Sequence, residues 1–178
     1  MKAQTEITSF GKYAVKGVKW FEGMECSGYN ATLYRGKTKV AFVIDEGCGG
    51  EPMVRFEDKA ERELYEQHLA TLPPHQFEAT EFSEAFAVAV DDGLFIGALI
   101  DLYENAKAEK RLVNLVKRKM KKHLYLRKPD GKVVYYKTAP TDAAIDHLMP
   151  KNPKGSVLLN RMPLAEVVEI FRNYQPPK

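Results

Sequence analysis

The chain opens with alternation. From Ser9 to Phe21, apolar and polar residues take turns, with Tyr13, Val15 and Gly17 on one side and Val18 and Trp20 on the other. The parity slips at Gly17-Val18, the signature of a bulge or a change of burial. Tyr29-Asn-Ala-Thr-Leu-Tyr and Val40-Ala-Phe-Val-Ile read as two further strands, and Met53–Phe56 as a short fourth. Arg35-Gly-Lys-Thr is turn material, so Ile7 to Phe56 reads as an antiparallel meander with the Val40 strand inside it. The period then becomes helical. Asp58 is placed as an N-cap, Leu64, Tyr65, His68, Leu69 and Leu72 fall on one side, and Pro73-Pro74 stop the helix. His68 reads as a half-buried helix residue rather than a ligand.

Gln76–Asp92 is ambiguous. Phe86, Val88 and Val90 alternate with alanines, which reads as extended, although the same alanines favour a helix. Asp92 is placed to cap the next helix. Leu99, Leu102, Ala106, Val113, Val116, Met120 and Leu124 recur at helical spacing, and no Pro or Gly interrupts Ala98–Lys128. The helix is expected to end near Lys119–Lys122, where the period becomes two. Leu124 and Leu126 point one way, Tyr125 and Arg127 the other. Pro129-Asp130-Gly131 then closes a hairpin onto Lys132-Val-Val-Tyr-Tyr-Lys, because Pro presets φ and Gly accepts φ > 0. A short helix after Pro140, a basic loop at Pro150-Lys-Asn-Pro-Lys-Gly, a short strand at Val157–Leu159 and a closing helix at Pro163–Asn173 complete the pattern. Leu164, Val167, Val168 and Phe171 are the stripe of that last helix, and the tail from Tyr174 is expected to fray. The pattern predicts an α+β fold in one domain: an N-terminal antiparallel β-meander (1–56), a helical segment (57–121), a second β-hairpin (122–137) and C-terminal helices (138–178).

Charge changes this picture. The chain carries 27 Lys/Arg and 24 Asp/Glu, yet Lys107–Lys128 holds ten bases and one acid, Glu109. Conversely, Glu57–Asp92 holds ten acids and two bases. Such segregation points to an anionic partner, either nucleic acid or an acidic protein surface. The contacts would come from Lys107, Lys110, Arg111, Lys117, Arg118, Lys119, Lys121, Lys122, Arg127 and Lys128. Tyr125, with Tyr135 and Tyr136, would offer stacking surfaces. A solvated helix face accounts for the same lysines, and the acidic segment is a candidate to cover them.

A second candidate is the loop Asp45-Glu-Gly-Cys-Gly-Gly-Glu-Pro. Gly47, Gly49 and Gly50 describe a backbone path that side chains would block. It reads as a wide turn, or as a contact site in which Asp45, Cys48 and the carboxylates of Glu22, Glu25, Glu46 and Glu51 meet a ligand. It is not a phosphate loop, since no Lys-Ser/Thr follows and the acids would repel phosphate. Cys48 as a nucleophile lacks a local histidine base.

Two cysteines, Cys26 and Cys48, make no disulfide framework, and neither CxxC nor clustered histidines suggest zinc. No run approaches a membrane span and the first ten residues have no apolar signal core. The expectation is a cytoplasmic protein with no cofactor and no metal, more a binder than an enzyme.

Trp20-Phe-Glu-Gly-Met-Glu-Cys, Gly28-Tyr-Asn-Ala-Thr-Leu-Tyr, Lys39-Val-Ala-Phe-Val-Ile and Gly47-Cys-Gly-Gly together resemble a pattern in small uncharacterised proteins of bacteriophages and bacteria. There an aromatic strand, a short turn and a strand lead into an acidic Gly-x-Gly-Gly loop. The basic helix followed by Leu124-Tyr-Leu-Arg is similar to their second halves. The resemblance implies an accessory or host-interaction role and no catalytic residue.

Overall fold

The computed structural model describes residues 11–23 and 25–174. The expected start of the first strand, before Gly11, and most of the expected frayed tail lie outside the described residues. The fold is α+β.

Strands β1 (Tyr13–Glu22), β2 (Ser27–Arg35), β3 (Thr38–Asp45) and β4 (Met53–Phe56) form the antiparallel meander in sequence order. The parity slip in β1 is a bulge. Pairing jumps from Lys16↔Thr32 to Lys19↔Asn30, so Gly17 and Val18 both face Ala31. Gly17 takes φ +66°, a left-handed conformation that a side chain would strain. The bulge returns Val18 to the side of Tyr13 and Val15, and all three are buried. A second irregularity lies between Leu33 and Tyr34, whose partners are Ala41 and Lys39, and it lets Val40 and Ala41 both point inward. The register then sets the outer side of the sheet: Lys16, Thr32, Phe42 and Arg55 form one row, and Lys19, Asn30, Ile44 and Met53 the next.

Helix α1 (Lys59–Ala70) starts where expected, with Asp58 Oδ1 accepting from the Ala60 N–H at 2.9 Å. Tyr65 is its buried anchor, and Leu69 and Leu72 pack beside the core. Leu64, expected on the buried side, is 44% exposed. His68 is half-buried against Tyr13 and Phe95, with ring centroids 5.1 and 5.6 Å away. The ambiguous stretch is extended: β5 (His75–Phe77) and β6 (Phe86–Val88) pair as a small hairpin.

Helix α2 (Asp92–Lys122) begins six residues before Ala98, and its cap is Asp91, not Asp92. Asp91 Oδ1 accepts from the Leu94 N–H at 2.8 Å and its carbonyl from the Phe95 N–H at 3.0 Å. The expected unbroken apolar stripe is two patches. Phe95, Ile96, Leu99 and Ile100, with Tyr103 beside them, pack into a core shared with the meander and α1. Leu112, Val113, Val116 and Met120 join a different core. Between the patches Leu102 is 50% exposed, and Ala106 is exposed too. The chain forms two compact units, residues 1–105 and 106–178. The physical reason is the gap: from Asn105 to Arg111 the helix has no large apolar side chain from which a continuous core could be built.

In the second unit, β7 (Leu124–Arg127) and β8 (Val133–Tyr136) form the predicted hairpin, with Gly131 at φ +84° in its turn. After the short helix α3 (Asp142–Leu148), strand β9 (Val157–Leu158) adds to the other edge of β7, so the sheet order is β8-β7-β9. Helix α4 (Leu164–Asn173) buries Val167, Val168 and Phe171 as predicted, whereas Leu164 is 37% exposed. The inner strand β7 has two covered sides. Tyr125 packs with Val116, Val133, Val168 and Phe171, while Leu124 and Leu126 pack with Ile145 of α3.

One side chain ties the end of α2 to β7. Asn160 Nδ2 donates to the carbonyls of Met120 and His123, both at 2.8 Å, and its Oδ1 accepts from the Tyr125 N–H at 2.7 Å. Asn160→Ala leaves three partly buried backbone groups without these partners, and should cost about 2–3 kcal/mol. Denaturant unfolding of the variant beside wild type measures this; a loss under about 0.5 kcal/mol would show that the amide is not a clasp.

Candidate nucleic-acid interface

The cationic stretch is placed by α2 itself. At about 100° per residue, Lys107, Lys110, Arg111, Lys117, Arg118, Lys121 and Lys122 fall within one arc of roughly 140°. Leu112, Val113, Val116 and Met120 take the opposite side and pack into the core of the second unit. A run of about 22 Å of helix therefore presents its bases together, because the apolar residues claim the other side. Lys107, near the middle of the arc, and Lys119, outside it, are half-buried; Lys110, Arg111, Lys117, Arg118, Lys121 and Lys122 are exposed.

Four of the six acids of the same unit are engaged elsewhere. Glu109 projects on the packed side of α2 and meets Arg172 of α4, Nη2 to Oε2 at 2.6 Å. Arg172 also pairs with Glu169, and these two carboxylates push its guanidinium further above its ordinary pKa. Asp142 pairs with Arg161 at 2.6 Å, and Asp130 lies 3.8 Å from Lys132. Among the described residues of the second unit, no carboxylate lies within ion-pair distance of Lys110, Arg111, Lys117, Arg118, Lys119, Lys121, Lys122, Arg127 or Lys128. Within the first unit, Glu57, Glu61, Glu63 and Glu66 pair with Lys39, Arg35, Lys59 and Arg62. Residues 106–178 hold 17 Lys/Arg and six Asp/Glu, net +11, against ten and 18, net −8, in residues 1–105.

The hairpin contributes less than its sequence implies. Tyr125, expected as a stacking surface, is 3% exposed. It belongs to the covered side of β7, with Phe171 edge-on at 5.3 Å and Tyr135 stacked at 5.6 Å, and burial pushes its phenol pKa up. The exposed ring is Tyr135, at 44%. Arg127 is exposed and lines a 330 Å³ cavity with Val133, Glu169 and Ile170, so it faces α4. Lys128 is half-buried at the turn, its backbone N–H donating to the Lys132 carbonyl at 2.8 Å.

The glycine loop is packed against backbone. Gly47 is buried with φ +68°; its carbonyl accepts from the N–H groups of Glu25 and Cys26 at 3.0 Å, and its N–H donates to Asp45 Oδ1 at 2.8 Å. A Cβ on Gly47 would fall under 3.0 Å from the Cys26 carbonyl and the Gly28 nitrogen. Gly23 and Gly28 meet the same loop equally closely, so three glycines let the β3–β4 loop dock on the β1–β2 turn. Gly49 takes φ +75°, and Gly50 has open space around it. Asp45, Cys48, Gly50, Glu46 and Glu51 line a 110 Å³ cavity. Glu22 and Glu25 are exposed, as are the unbridged Cys26 and Cys48. Among the described residues no three His, Cys, Asp or Glu side chains gather where they could hold a metal ion. No described helix is long and apolar enough to cross a membrane.

Sequence reading missed Arg172 and Asn160. Arg172 meets Glu109 across 63 residues, and no local pattern signals such a pair. No known protein family matches the chain, and no characterised protein or solved structure is significantly similar to it.

Proposed function

We propose that the protein binds nucleic acid through the cationic side of α2. The observation that carries this reading is that the one acid in Lys107–Lys128 lies on the packed side of the helix and is taken by Arg172, which leaves Lys110, Arg111, Lys117, Arg118, Lys121 and Lys122 to an external anion. Backbone phosphates are the dense anionic array that bases spread over about 22 Å of helix match, since duplex DNA carries one charge per roughly 1.7 Å of axis. The term is independent of base sequence and releases counterions. If six phosphates are met, log K should fall with log salt at a slope near −5, or about 10³-fold between 50 and 200 mM. Fluorescence anisotropy with a labelled duplex measures that slope. A slope near zero, or no binding at low salt, removes the reading.

A second reading draws on the opposite charges of the two units, +11 and −8. An adaptor or inhibitor of a nucleic-acid-handling host complex would dock its basic unit on an acidic protein surface. Size-exclusion of the protein with cell lysate, before and after nuclease treatment, separates the two: complexes that survive nuclease favour the adaptor. Either role is that of a cytoplasmic accessory protein without catalysis.

A further inference from the structure

The outer side of the meander runs against the charge of its own unit. Residues 1–105 are net −8, yet no described residue that β1–β4 direct outward is acidic, and Lys16, Lys19, Lys39 and Arg55 all project there. Lys39 is paired with Glu57 at the corner of the sheet. Lys16, Lys19 and Arg55 have no carboxylate within ion-pair distance among the described residues. The same side carries rings. Phe42, in an inner strand, is 38% exposed and sits in one row with Lys16, Thr32 and Arg55. Phe21 is 39% exposed and lies over Gly28. Tyr34 stands under the Lys16 ammonium, 4.3 Å from its ring centroid, which holds that cation above the sheet.

From this juxtaposition we propose that the outer side of the meander is a second binding surface, and that its ligand is single-stranded nucleic acid. The cations take phosphates, Phe42 takes the flat side of an unpaired base, and Asn30 and Thr32 offer hydrogen bonds to base edges between them. Charge complementarity selects an anion. The exposed rings select one with π-faces to stack, which a duplex hides inside itself and an acidic peptide lacks. Rows on a strand repeat every two residues, roughly 7 Å, so the platform offers successive contacts to an extended strand. The proposal extends the nucleic-acid reading to a second ligand form, and the two can fail separately.

The test is anisotropy on the full chain with a labelled oligothymidylate of about twenty nucleotides and, in parallel, a duplex of equal length. Phe42→Ala should weaken oligothymidylate binding about ten-fold and leave duplex binding unchanged. The triple variant Lys16→Glu, Lys19→Glu, Arg55→Glu should flatten the single-strand salt slope by about 2. Phe42 keeps part of its ring covered and Lys16 sits on Tyr34, so both variants should melt a few degrees below wild type, about 4–8 °C per kcal/mol lost, and stay folded at the assay temperature. Reversals on α2 should abolish duplex binding and leave the oligothymidylate response to Phe42→Ala intact; if they abolish nothing while Phe42→Ala still weakens the single strand, the α2 reading falls and this one stands. Oligothymidylate binding unaffected by both sheet variants overturns the proposal. So does a polyglutamate peptide that binds as tightly as oligothymidylate and ignores Phe42→Ala.

Discussion

A chain carrying Lys117→Glu, Arg118→Glu, Lys121→Glu and Lys122→Glu should bind duplex about 10³–10⁴-fold more weakly than wild type at 0.1 M salt, with its fold intact. The magnitude follows from counterion release. Each lost phosphate contact removes about 0.9 from the salt slope, worth close to one decade at that salt, and the new carboxylates add repulsion. The four reversals lower the charge of residues 106–178 from +11 to +3. The fold should survive because all four side chains are exposed and make no ion pair among the described residues, while the helix is held by Val116, Met120 and their neighbours. Far-ultraviolet circular dichroism and a melt verify that point. Binding within about three-fold of wild type would mean that the lysines only cover apolar surface with their stems.

The second large effect is on stability. Gly47→Val should destabilise the first unit by about 4 kcal/mol or more. Part of this is the left-handed φ of +68°, which costs an L residue about 1–2 kcal/mol. The larger part is collision with backbone, the Cys26 carbonyl and the Gly28 nitrogen, which cannot rotate away as a side chain would. Relief requires the loop to lift off the β1–β2 turn, which breaks the two hydrogen bonds from Glu25 and Cys26 to the Gly47 carbonyl. Gly36→Ala isolates the first part: Gly36 has φ +63° with nothing within 4 Å of its added Cβ, and should lose only about 1–2 kcal/mol. Gly50→Ala, in open space, should be nearly neutral. Denaturant unfolding ranks the three; equal losses for Gly47→Val and Gly36→Ala would show that the loop is not docked.

Much of the fold was legible because its causes are local. Asp58 caps α1 since its carboxylate reaches the N–H two residues on, and Pro129-Asp130-Gly131 turns the hairpin since Gly131 accepts φ +84°. The bulge at Gly17 left its mark as a parity slip. The shift of the α2 cap from Asp92 to Asp91 is a one-residue choice between two equivalent carboxylates. The burial of Tyr125 was hidden for another reason. Alternation says which residues share a side of a strand, but not that β7 would be inner and covered on both sides by helices from later in the chain. The β1–β4 register likewise put Phe42 in one row with Lys16 and Arg55, residues 26 and 13 positions away, with nothing nearby in the chain to announce it.

By itself the sequence determined the elements, the turns and the gathering of ten bases into one short stretch, since propensity, capping and composition act over a few residues. Only the tertiary structure decided which charges are neutralised and which rings are open. Glu109 finds Arg172, and Glu57 and Glu61 find Lys39 and Arg35, through packing that brings distant side chains within a few ångströms. Ion pairing and burial fall off over such short distances that no reading of neighbours along the chain can supply them.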